Sequence, residues 1–530
     1  MFRFGAAAQA PTKICGNTRH MPRHGLMPRT AEFVAPGVAS TGKFGRLLPY
    51  LDPLRVGDES LVELASKMLE SVGGTDDNPD VPAAYTYLGQ FIDHNVTFDA
   101  TSIEEARIDP ASVVNYRSPR LDLDSVYGSG PVVQPHLYQR DDPDLLEIGC
   151  AQHFTNARRS NKVVADIGFQ ADLPRGWNRF ALIADPRNDE NLIVAQLHLA
   201  FLHFHNNIVG WLRTDSARRQ APLRKSVFVE ARDLAIRHYQ WIVLHDFLPR
   251  IVCREVLEEV RRGKSMMAEQ NRLYMPVEFS AAAYRFGHSA LRPLYNINSA
   301  HLKAPLLDLF KFSGRTGSRA QVPITDNWIV EWFRLLNLDP AMDDTLSRRI
   351  DPYLADDLAK LPLPGRQKQS LPATNLLRGN MLGLPAGQSV AGYFGYPALT
   401  QAQIADETPD GIVAAKHGFD RDTPLWYYIL KEALVFEKGW KLGPVGSRIV
   451  AEVFVGMLQL DENSILNRAR NWKPMLSSAT DGEFTLPDLL RFARVLPQNG
   501  DGFGPALNTH CGHKVRTSCY SPVVHHRSHV

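Results

Sequence analysis

The chain has 530 residues, of which 44% are hydrophobic and 22% charged, with a formal net charge of +2; this is the composition of a globular protein, not of a disordered or fibrous one. So small a basic excess gives no argument for nucleic acid, and no uninterrupted apolar run is long enough to cross a bilayer. Length alone would allow about three domains, yet no break in composition divides the middle of the chain, so one large core able to bury a bulky cofactor is expected.

Residues 1–30 read as a loose basic tail: Met1 to Arg29 carries no acidic residue, contains Pro11 and Pro22, and lacks the apolar segment of a secretory signal. Asn78-Pro79-Asp80-Val81-Pro82 forms a helix entrance. The helix that follows sets Gln90, Asp93 and His94 on one face through their i, i+3 and i+4 spacing. Taken alone, such a face fits a satisfied core histidine beside a surface carboxylate as well as it fits a reaction centre. Asp185-Pro186 has the form of an N-cap followed by proline at the first helical position, which sets Arg187 and Glu190 near a helix start. By itself that pair is an exposed i, i+3 ion pair worth a few tenths of a kcal/mol.

Leu192, Ala195, Leu199, Leu202 and Val209 follow a three-and-four spacing that Asn206 interrupts, the mark of a buried helical stripe. Residues 226–252 and 424–460 read likewise as long buried helices. Ala282 to His288 is a segment whose small residues Ala282, Ala283 and Gly287 would let a flat, bulky partner approach His288 before Pro293 ends the helix; a buried structural histidine is the alternative. Pro and Gly concentrate around residues 361–400, which read as a long loop. Strand-like alternation is rare and brief, and no internal repeat is visible. The fold class is therefore mainly α, a single large helical domain over residues 31–498 with few short strands. A second tail, 499–530, holds five histidines and two cysteines at spacings that match no regular zinc pattern. Cys15, Cys150, Cys253, Cys511 and Cys519 form no recognisable disulfide framework.

In their order along the chain these segments resemble the animal-type haem peroxidase family, also called the peroxidase-cyclooxygenase superfamily, over approximately residues 40–495. Gly89-Gln90-Phe91-Ile92-Asp93-His94 is similar to the family's distal-histidine signature, and Arg187 with Glu190 to its distal arginine and haem-linking glutamate. Arg285-Phe286-Gly287-His288 resembles the segment of the proximal iron ligand, and Asn375 to Arg378 that of the asparagine bonded to it. Leu121 to Gly128, LDLDSVYG, resembles the calcium loop. Gly383 to Gln388 and Gly443 to Arg448 look closest to bacterial members.

The resemblance implies a buried haem b and a peroxidase. His94, with Gln90 hydrogen-bonding in the pocket, would move a proton between the peroxide oxygens, and Arg187 would stabilise the developing charge. His288 would bind the haem iron while Asn375 accepts its second N–H, and a ferryl intermediate would oxidise halide, pseudohalide or small aromatic donors. Asp93 and Glu190 would form ester links to the haem. Asn191 stands where some mammalian members carry a sulfonium-forming methionine, so a third link is not expected. Arg285 and Arg378 are candidates for the haem propionates.

The same resemblance implies calcium held by Ser118, Asp122, Asp124, the backbone carbonyl of Arg120, and Asn95 reaching over from the distal helix; a solvated acidic turn is the alternative. Asn95 stands where the family usually has aspartate. A fatty-acid dioxygenase of the same superfamily needs a tyrosine three residues before the proximal histidine, where this chain has Arg285, with Tyr284 one position further back. A non-catalytic adhesion or binding protein on the same scaffold is the remaining reading.

Overall fold

The computed structural model describes residues 42–98, 114–154, 170–219, 225–314, 317, 319–338, 345–361, 370–468 and 472–496. Both tails read from the sequence, 1–30 and 499–530, lie outside the described residues. The mainly helical expectation holds, with the strands confined to short pairings. β1 (Gly42–Gly45) lies between β3 (Val114–Asn115), antiparallel, and β4 (Met275–Pro276), parallel. β2 (Asp77–Pro82) pairs antiparallel with β7 (Leu346–Arg348) through an irregular register, and β5 (Leu294–Tyr295) with β6 (Ala304–Pro305).

β2 delivers the chain into α1 (Ala83–Val96), where Pro82 occupies the N-cap and the Ala83 amide donates to the Thr345 carbonyl at 2.9 Å. Proline suits that place because its missing N–H would have had no helical partner. α2 (Leu192–Arg219) and α3 (Val227–Ile242) pack against α1 through one aromatic cluster. Phe91 stacks on Phe201 with centroids 4.4 Å apart, and both rings meet the edge of Tyr239. α2 is apolar around most of its circumference. Over Leu192–Thr214 it is long and apolar enough to span a bilayer by composition, but 89% of an apolar 18-residue stretch within it is buried in the protein, as expected of a core helix.

α3 continues through a π-helical turn at Val243–Phe247 into Leu248–Ile251, so the long helix expected over 226–252 is met with one wide turn inside it. The helix expected over 424–460 is instead two, α5 (Leu425–Glu437) and α6 (Pro444–Leu460). Lys438 and Gly439 take left-handed angles, φ 57° and 75°, that end the first. Pro444 opens the second, whose Val445 and Gly446 amides donate to the Glu432 carboxylate. Nor is 361–400 one loop: it contains α4 (Leu371–Met381), capped by the Ser370 hydroxyl, and a further helix at Gly387–Phe394. Residues 362–369 of that stretch lie outside the described residues. Glycine and proline there punctuate helices instead of replacing them.

Candidate active site

α1 carries Gln90, Asp93 and His94 inward together. His94 is 5% exposed, and its Nδ1 lies 2.8 Å from Asn188 Oδ1. Gln90 donates to Glu190 and accepts from Asn191, while Glu190 Oε1 lies 3.7 Å from His94 Nε2. Asp93 accepts from the Thr97 hydroxyl at 2.9 Å. Burial controls the ionisation of all three groups. It lowers the His94 pKa to about 3, helped by the neighbouring Arg187 charge, and raises Glu190 to about 7. It also raises Asp93, against the pull of Arg187 and Arg285. His94 is therefore a neutral imidazole at physiological pH.

Arg187 sits in a 3-10 turn, Pro186–Asp189, whose N-cap Asp185 accepts from the Arg187 amide. It is 2% exposed and pairs with Asp185 at 2.7 Å, not with Glu190. The exposed i, i+3 pair is thus corrected to a buried one, because the turn folds the guanidinium back over its own cap. Nη2 also donates to the carbonyls of His94 and Thr97, and the guanidinium lies 4.5 Å above the Phe98 ring. Nη1 is the donor that no described residue engages.

Asp185 has a second buried partner, Arg117, at 2.8 Å. Burial alone would raise the Asp185 pKa; the two guanidiniums overcome it and hold the carboxyl well below the usual range. Arg117 also stands 3.6 Å from Asp124 Oδ2, so one ionic chain runs from Arg187 through Asp185 and Arg117 to the acidic loop.

That loop brings Asn95, Ser118, Asp122 and Asp124 together, with Arg120 between them in sequence. Asn95 donates to Asp124 Oδ1 at 3.0 Å and accepts from the Leu123 amide. The Ser118 amide donates to Asp124 Oδ2, and the Asp124 amide to Asp122 Oδ1. Asp122 is pushed up to about 7 by burial and by the Asp124 charge. The oxygen-rich donor set suits a hard cation, although Asp124 is already met by N–H donors. Among the described residues no cluster of three or more His, Cys, Asp or Glu is placed to hold a metal.

The second histidine lies on a 3-10 turn, Ala283–His288. Arg285 Nη1 donates to Asn375 Oδ1 at 2.5 Å, and Asn375 Nδ2 meets His288 Nδ1 at 2.8 Å. The expectation that Asn375 accepts from His288 is therefore reversed here: Arg285 claims the carbonyl and turns the amide's N–H toward the ring. No described residue engages His288 Nε2, and no atom lies within 4 Å of a Cβ built on Gly287. Burial, then the Arg285 charge, lowers His288 to about 3. This is a neutral imidazole with one ring nitrogen that no described residue engages, the form a metal-ligating histidine needs. Arg378, one turn beyond Asn375 on α4, is 7% exposed.

Sequence reasoning missed Asn188, His198 and Arg117. Asn188 sits inside the Arg187–Glu190 segment and could have been noticed there. Arg117 gives only the signal of an arginine beside the acidic loop.

A family model for animal haem peroxidase matches residues 96–415, a stretch that begins just after His94 and includes Arg187, His288 and Asn375. The chain is 25% identical over 370 residues to thyroid peroxidase of Sus scrofa, a match that covers 65% of this chain and 37% of that protein's length. Among solved structures, peroxidase A of Dictyostelium discoideum aligns at a TM-score of 0.58 with 15% identity, covering 88% of this chain and 98% of that one. A fatty acid alpha-dioxygenase of Arabidopsis thaliana aligns at 0.56 with 12% identity, covering 84% and 74%. Both structural likenesses are likenesses of fold.

Proposed function

The chain belongs to the animal haem peroxidase family, and on that premise we propose that it is a peroxidase that reduces hydrogen peroxide and oxidises halide, pseudohalide or small aromatic donors. The segments Gly383 to Gln388 and Gly443 to Arg448 put it, in this reading, closest to bacterial members. The observation that carries the proposal is a buried, neutral His94 set beside the buried Arg187 guanidinium, together with a second neutral histidine, His288, whose Nε2 no described residue engages.

Haem, when bound, supplies the redox-active iron. His288 would hold it through Nε2. A neutral His288 bound that way carries its proton on Nδ1 and needs an acceptor there, which Asn375 becomes once its amide turns over and Arg285 lets go. Arg285 and Arg378 would then pair with the cofactor's carboxylates. His94 Nε2 would take a proton from one peroxide oxygen and return it to the other, while the Arg187 guanidinium would stabilise the leaving oxygen. Gln90 orients Glu190. The raised pKa values of Asp93 and Glu190 favour the uncharged carboxyls that ester links to the haem would start from. Asp122, Ser118, Asp124, Asn95 and the Arg120 carbonyl would take calcium, tying the loop to α1.

Purified protein supplemented with haem is expected to show a Soret band and to oxidise iodide, bromide, thiocyanate or phenols only with peroxide. A colourless protein overturns the reading, and would point instead to a binding protein on this scaffold.

One observation favours a second reading, oxygenation of a fatty acid. The buried Tyr284 hydroxyl has no hydrogen-bond partner among the described residues and approaches α1 at Gly89. Formation of a hydroperoxide from an unsaturated fatty acid and oxygen would support it.

A further inference from the structure

Behind His94 lies a relay that the peroxidase reading does not use. Asn188 and His198 are both fully buried. An amide oxygen can only accept, so the 2.8 Å contact between Asn188 Oδ1 and His94 Nδ1 puts the ring proton on Nδ1 and leaves a lone pair on Nε2. The other end of the same amide, Nδ2, meets His198 Nδ1 at 2.9 Å. Because the amide nitrogen donates there, His198 must carry its own proton on Nε2, an atom that is buried and has no partner among the described residues.

A buried N–H without an acceptor is rare and asks for a reason. With the amide turned over, His198 would donate from Nδ1 and keep only an unpaired lone pair at Nε2, the cheaper defect. His94 would then receive the amide N–H at Nδ1 and carry its proton on Nε2, where nothing could accept a proton from peroxide. The unfavourable end at His198 is the counterpart of a functional tautomer at His94. The 3-10 turn holds the residue in place: the Asn188 backbone N–H donates to the Asp185 carbonyl at 3.0 Å, and Asp189 beside it is clamped by Arg175 at 3.0 Å. The edge of Phe91 packs against the His198 ring.

We propose that Asn188, braced by His198, is a positioning residue that sets the His94 tautomer, keeping Nε2 unprotonated and aimed into the site. The inference rests on the peroxidase reading for its meaning, but its structural content can be measured separately.

The test is histidine-selective nitrogen-15 NMR of the full-length protein, loaded with haem and held in the diamagnetic ferrous carbon monoxide form. His94 is assigned by the signal lost in His94→Gln. The expected result is a neutral ring protonated on Nδ1. In Asn188→Leu the Nδ1–H loses its acceptor, so the proton moves to Nε2 and the rate of reaction with peroxide falls roughly tenfold to a hundredfold. Asn188→Asp, which can only accept, keeps the Nδ1 proton, and His198→Phe, which frees the amide to turn, gives a mixture of tautomers. A wild-type His94 protonated on Nε2, or an Asn188→Leu protein with the wild-type tautomer and rate, overturns the proposal. If the protein takes up no haem, the peroxidase reading fails, while the tautomer is still read in the same chain without it.

Discussion

The two histidine sites are built on opposite plans. Around His94 the partners are dense and ionic: Arg187, Asp185 and Arg117 form a closed buried set, and Asn188 bridges His94 to His198. Around His288 a single amide, Asn375, is shared between the ring and Arg285. The first arrangement is held by ion pairs within the protein and resists change. The second is provisional, because whatever draws Arg285 away alters what Asn375 offers to His288. The contrast suits chemistry in which one side must hold a base and a charge in place before any ligand arrives, while the other forms its final bonds around a cofactor.

The sharpest way to separate the two sides is His94→Ala. It removes the proton carrier and leaves His288 untouched, so haem uptake is expected to be kept while peroxide turnover falls by about 10²- to 10⁴-fold. Stopped-flow absorbance checks both. Next in size is Asp185→Ala, which leaves two buried guanidiniums facing each other and is expected to cost about 3–5 kcal/mol in denaturant unfolding. Asp185 also gives the distal set a defined response to acid. Its folded pKa lies below the ordinary carboxylate value, so its contribution is fully present above about pH 4 and is lost only as pH falls through the depressed folded value. Acidification from pH 7 to about 5 should therefore leave that contribution unchanged. A loss over that range that is absent in Asp185→Ala would break the comparison.

On the other side, Asn375→Ala should be milder for stability and harsher for cofactor retention. Haem affinity, measured by transfer to an apo-haem acceptor, is expected to fall about 10- to 100-fold, the usual consequence of removing a partner that orients a metal ligand. The smallest effect is expected from chelating calcium. Because Asn95, Arg117 and the Ser118 amide already meet Asp124, the melting midpoint should fall by only about 2–4 °C.

The difference between the sites also explains what could be read from sequence. The helix bearing His94 and the turn bearing Arg187 are announced locally, by Pro82 before one and Asp185-Pro186 before the other. The roles of His94, Arg187 and His288 came from resemblance in their flanking residues. Resemblance also named Asn375 as the partner of His288, but the Asn188 and Arg285 contacts came from neither source, because they meet across long separations: Asn188 is 94 residues from His94, and Arg285 is 90 from Asn375. Nothing local records that Arg187 turns back onto its cap rather than toward Glu190. Local signals were also misread, as at Gly439 and Pro444, which end one helix and begin another where a single helix was expected.

The role of His94 is put to the test by adding one equivalent of hydrogen peroxide to the haem-loaded protein and following the Soret band, in parallel with His94→Ala. A band is expected in both proteins, with a rapid change in the wild type and one at least about a hundredfold slower in the variant. A haem-loaded wild type that does not respond, or a variant that responds at the same rate, would contradict it.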